Sequence, residues 1–98
     1  MEEKLTKMLL DNAAKAQKSG IKLDMYIQKV QKLGGLRVCK DTLKRRMYSD
    51  KFEELCKNNM ASLTMEAVVV KSQFAELFTD DEVNLCFEAL CEFGYFGV

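Results

Sequence analysis

Residues 62–70, Ser62-Leu63-Thr64-Met65-Glu66-Ala67-Val68-Val69-Val70, decide the fold class of this chain. The valines at 68, 69 and 70 favour extended backbone, because a side chain branched at Cβ is stiff and packs well on a pleated surface. Against that, Ser62 or Thr64 stands where a helix N-cap would, able to accept from the free amides of a first turn. A strand also needs a partner, and no second stretch of the chain reads convincingly as one. Residues 65–70 are therefore expected to form a short helix, and the fold to be all-α.

Downstream, residues 72–78 offer Phe74, Leu77 and Phe78 to the core over one or two further helical turns. Thr79-Asp80-Asp81-Glu82 is the sharpest local signal. Thr79 can accept from the amide of Glu82 while Glu82 reaches back, and three acids face the positive end of a helix dipole. The helix so started should run through Val83, Cys86, Phe87 and Leu90 to about Phe93, with Gly94 as its cap and Tyr95 and Phe96 folded back onto its last turn.

Upstream, Asn58-Asn59 reads as a turn, and Asp50-x-x-Glu53 resembles a capping box for a short helix containing Phe52, Leu55 and Cys56. Leu36, Cys39, Leu43 and Met47 mark the inner side of a helix whose outer side displays Arg37, Lys40, Lys44, Arg45 and Arg46. Before it, Leu23, Tyr26, Ile27, Val30 and Leu33 share one face of another helix, stopped by Gly34-Gly35. At the amino terminus, Leu5, Met8, Leu9, Ala13 and Ala16 give an amphipathic helix over residues 2–18, closed by Ser19-Gly20. There is no proline and no visible repeat or linker. The expectation is one compact domain over residues 1–98 with about five to six short helices, of which the helix in 1–20 could sit at the periphery.

The 98 residues can bury somewhat under roughly 70% of the surface of the unfolded chain. The longest apolar run, Ala67 to Val70, is far short of the roughly 20 residues of a membrane-spanning helix, so no membrane partner is expected. The first ten residues mix acids and bases and lack the pattern of a secretion signal, which makes a cytoplasmic location the expectation. Cys39, Cys56, Cys86 and Cys91 are spaced like no zinc motif and read as small buried apolar residues. Histidine is absent, which removes Ser-His-Asp, Cys-His and His-metal chemistry. No cofactor, no metal site and no catalytic residue are expected, and the chain is read as a non-enzyme.

The zero net charge conceals a split. Residues 1–60 hold fourteen Lys or Arg against eight Asp or Glu, leaving +6, and residues 61–98 hold the balancing −6. The basic residues concentrate on the helix of Arg37, Lys40, Lys44, Arg45 and Arg46, with Tyr48 close behind, and these six are the candidate binding residues. Two helices about Gly34-Gly35 resemble a helix-turn-helix layout, and the five cations could meet phosphates or guanine edges. No Asn or Gln stands on that helix to read adenine, and a solvated basic face is the plainer account. The same face could instead dock the acids around Asp80, Asp81 and Glu82, within one chain, in a second copy or in a partner protein. Capping already explains those acids without a cation. Phe93, Tyr95 and Phe96 could anchor a partner but suit core or cap packing, and the dispersed methionines read as gap-fillers.

Over about seventy residues the chain resembles a small helical domain of bacterial and phage proteins. The resemblance lies in Leu33-Gly34-Gly35-Leu36, Ser49-Asp50-Lys51-Phe52, Leu63-Thr64-Met65-Glu66-Ala67-Val68-Val69-Val70, Phe74…Leu77-Phe78-Thr79…Glu82 and Gly94-Tyr95. That family has a pattern close to "GG…SDGF…LTVEALVL…LF…E…GY" and no established activity, so the resemblance implies no catalytic residue. Lys51 stands where the pattern has Gly, which should alter the turn at Ser49-Asp50, and Met60-Ala61-Ser62 replaces an Arg-Leu-Asp approach to Thr64. The resemblance and the chain's size suit a phage or mobile-element accessory protein, including an inhibitor of host defence. The functional expectation is a protein-interaction, adaptor or inhibitor protein with a protein partner, possible as a homo-oligomer, docking through its charge-divided surface. The alternative is a nucleic-acid or nucleotide binder using residues 37–46.

Overall fold

Thr64 resolves the stretch that could have been strand or helix. Its backbone is extended at φ −75° and ψ 157°, its Oγ1 accepts from the Ala67 N–H at 3.1 Å, and its hydroxyl donates to the Ala61 carbonyl at 2.7 Å. A helix follows at once. In the computed structural model, which describes residues 1–94, the helices in chain order are α1 (Glu2–Lys18), α2 (Asp24–Leu33), α3 (Gly35–Lys44), α4 (Phe52–Lys57), α5 (Met65–Val69) and α6 (Asp80–Glu92). Short 3-10 turns, Ala61–Leu63 and Ser72–Leu77, flank α5. No strand occurs among the described residues, and the fold is all-α.

Helix α5 is buried at every position, which explains its valines. For a helix enclosed on every side, packing outweighs the modest helix penalty of β-branching. Around it, Leu5, Leu9, Ala13 and Ala16 of α1, Tyr26 and Val30 of α2, and Val38, Cys39 and Leu43 of α3 close the main core. Helix α1 is thus central, packed on α2, α3 and α5, and not a peripheral addition. The radius of gyration, 12.2 Å, is close to the roughly 13 Å of a packed domain of this length.

The two glycines between α2 and α3 serve different needs. Gly34 adopts φ 86°, a left-handed backbone that costs other residues energy. Gly35 is needed for space: a Cβ there would lie 2.9 Å from both the Thr6 Cα and the Leu9 Cδ1. The Gly35 N–H, unpaired as the first amide of α3, donates to Thr6 Oγ1 at 2.8 Å.

The capping box expected at Thr79 is present, with the Glu82 N–H on Thr79 Oγ1 at 3.2 Å and the Thr79 N–H on Glu82 Oε1 at 2.8 Å. The one expected at Asp50 is not. There the N-cap is Lys51, left-handed at φ 61°, which carries the chain into α4 one residue late, and Asp50 lies 3.7 Å from Lys29 instead. Lys51 therefore holds the backbone conformation for which glycine is best suited.

Met47 and Leu33, expected on inner faces, are 60% and 45% exposed because both fall at or beyond the ends of their helices. Of the cysteines, Cys39 and Cys86 are buried, Cys56 is half-buried and Cys91 is exposed, on the outer side of the last turn of α6. Phe93 packs edge-on against Phe52 and Tyr48, with ring centroids 5.3 and 5.9 Å apart. Tyr95 and Phe96, expected beside it, lie outside the described residues.

Candidate functional site

Helix α3 is shorter than its charge pattern suggests. It ends at Lys44 in a six-residue closing turn, with the Arg46 N–H donating to Leu43 O and the Met47 N–H to Thr42 O. Arg46 occupies the left-handed position of this turn at φ 55°. The same turn closes α1 with Gly20 and α4 with Asn59 in that position, residue types that tolerate it. An arginine there carries a backbone cost of about 1 kcal/mol.

The six candidate residues consequently divide. Arg37, in the first turn, faces α1 and lies 3.5 Å from Asp41 in an exposed i,i+4 pair. Lys40 is committed inside the molecule: its Nζ donates to Glu82 Oε1 at 2.6 Å and lies 5.2 Å from the centre of the Phe78 ring. Burial alone would raise the Glu82 carboxyl, but the bonds from Lys40 and Thr79 hold it below the usual range. The expected meeting of the basic helix with the acidic run therefore occurs within one chain, at this pair.

Lys44, Arg45 and Arg46 are exposed and carry no ion pair among the described residues. Met47 and Tyr48, 60% and 40% exposed, continue the patch. The Tyr48 hydroxyl donates to Glu92 Oε2 at 3.0 Å, which raises its pKa, and its ring lies 4.8 Å from that of Phe52. Beside the patch a groove of about 270 Å³ runs between α2 and residues 45–50, lined by Tyr26, Val38, Arg45, Met47 and Tyr48 together with Asp41 and the paired Lys29 and Asp50.

The residue that holds this loop in place is Glu66, which charge counting passed over. It is 2% exposed, and its carboxylate accepts the Ser49 N–H at 2.8 Å and the Ser49 hydroxyl at 2.6 Å. Burial pushes its pKa up, with the Ser49 bonds pulling the other way. From sequence Glu66 is an ordinary first-turn acid behind the Thr64 cap; only the burial of α5 on all sides distinguishes it. Burial, with the nearby Glu66 charge, also pushes the Cys39 thiol up to about 12 and raises Cys86, so both are protonated packing residues.

No three or more Cys, Asp or Glu side chains gather to hold a metal ion among the described residues. No helix among them is long and apolar enough to cross a membrane. Neither family models, nor curated proteins, nor solved structures give a match to this chain.

Proposed function

We propose that this is a non-enzymatic interaction protein that docks an acidic, partly apolar segment of a partner protein on residues 44–48 and the adjoining groove. The observation that carries the reading is the trio Lys44, Arg45 and Arg46, without an ion pair among the described residues and beside exposed Met47 and Tyr48. Unpaired cations steer an acidic partner, while exposed methionine and an aromatic ring supply area that gains by being covered. The strained backbone of Arg46 adds support, because a left-handed arginine is kept at a cost that its side chain must justify.

A nucleic-acid reading would enlist Arg37, Lys40, Lys44, Arg45, Arg46 and Tyr48 together. Lys40 is tied to Glu82 and Arg37 lies on another face, so the continuous run of cations that a phosphate chain needs is broken up. The first turn of α3, the part of a recognition helix that enters a major groove, is seated on α1 through Gly35. A fluorescence-anisotropy titration with a labelled peptide alternating Asp or Glu with Leu or Phe, beside labelled single-stranded DNA and RNA, separates the two. The expected result is peptide binding that Lys44→Glu with Arg45→Glu weakens at least tenfold. Nucleic-acid binding with a steep salt dependence, and none of the peptide, would replace this reading with the other.

A further inference from the structure

The lysines of α1 gather on one side of the molecule, away from residues 44–48. Lys4, Lys7 and Lys15 fall on a single stripe of the helix, and all three are exposed. They form one wall of a groove of about 510 Å³. The facing wall, drawn from residues 62–73, carries Lys71, the only lysine or arginine beyond residue 60. Met8 and Leu63, both half-buried against the core, lie between the walls. Four lysines against the single acid Asp11 leave the groove at +3. None of these lysines has an ion pair among the described residues. Cations crowded in this way repel one another, and a bound anion would remove that cost.

We propose that this groove binds the sugar-phosphate backbone of a single-stranded nucleic acid. From Lys4 to Lys15 the stripe is about 16 Å long, enough to follow several successive phosphates. Lysines on both walls can reach one strand from two sides. Asn12, Ser62 and Gln73, the other polar groups of the lining, can hydrogen-bond phosphate and sugar oxygens. No aromatic residue and no exposed large apolar one lines the groove, so bases find nothing to stack on and binding should be indifferent to sequence. The same lack separates it from a peptide site. A peptide partner draws its affinity from apolar and aromatic anchors, such as Met47 and Tyr48 offer, whereas a phosphate chain can be held by point charges alone. The site uses none of residues 44–48 and does not rest on the docking of an acidic partner there.

Fluorescence anisotropy of the whole chain with labelled oligo(dT) and oligo(U), beside labelled oligoglutamate, tests the site. Each single-strand phosphate neutralised contributes about 0.7 to the slope of log affinity against log salt, so four lysines should give a slope of about −3. Lys7→Gln with Lys15→Gln should halve that slope and weaken binding at low salt at least about tenfold. Lys44→Gln with Arg45→Gln removes the same charge elsewhere and should leave slope and affinity nearly unchanged. All four positions are exposed and glutamine suits a helix, so circular dichroism should show each variant folded. Three results would each overturn the proposal: neither oligonucleotide bound at low salt, equal losses in the two variants, or oligoglutamate held more tightly than either oligonucleotide.

Discussion

Arg46 sets backbone preference against side-chain use at a single position. The turn that closes α3 asks for a left-handed residue, and the chain meets the same demand with Gly20 after α1 and Asn59 after α4. Arg46→Gly should therefore stabilise the fold, by up to about 1 kcal/mol, the relief of the left-handed penalty being partly offset by the greater freedom of glycine in the unfolded chain. The same change removes one of the three cations that have no ion pair among the described residues, and should weaken binding of the acidic peptide. Chemical denaturation and peptide titration of one preparation measure both. A variant that is less stable than wild type would show that the Arg46 side chain holds the turn, rather than being held out by it.

At the level of elements, the signals that could be read were those whose physics is local. Thr79 to Glu82 supply both halves of a reciprocal cap within four residues, and Thr64 caps α5 with its own hydroxyl. Asp50 and Glu53 have the same spacing, yet Lys51 takes the cap because the chain turns through a left-handed residue there. The site was less legible than the fold. Five cations on one helical period looked alike, but Lys40 pairs with Glu82 across 42 positions and Arg37 faces α1, contacts that depend on how distant elements meet. Gly35 shows the same distinction: the sequence offers it as a breaker, whereas the structure uses it as a contact. Gly35→Ala should cost about 1–3 kcal/mol, because the added methyl meets the Thr6 backbone, which cannot rotate away. Thermal unfolding would show the loss. An unchanged midpoint would mean that α1 and α3 can separate slightly without consequence.

Across the whole molecule, one buried carboxylate joins the core to the binding surface, since Glu66 on α5 holds Ser49 and with it the loop that presents Arg45, Arg46 and Tyr48. Burial raises the folded pKa of Glu66, so the folded chain binds that proton more tightly than the unfolded one. The stability linked to it is fully present below the unfolded value and is lost as pH rises through the folded value, so at neutral pH ionisation of Glu66 carries a cost. Glu66→Gln keeps the shape and an acceptor for the Ser49 N–H without the charge. It should resist denaturant better than wild type at neutral pH, with the difference shrinking as pH falls into the ordinary carboxylate range. Glu66→Ala instead leaves the Ser49 N–H and hydroxyl without their acceptor beside a cavity, and should lose about 2–4 kcal/mol. The two substitutions therefore act in opposite directions at neutral pH, and hydrogen exchange at the Ser49 amide should accelerate in the alanine variant alone. A wild-type-minus-glutamine difference that does not vary with pH would mean that Glu66 meets the same environment folded and unfolded, which its burial and its two bonds to Ser49 argue against.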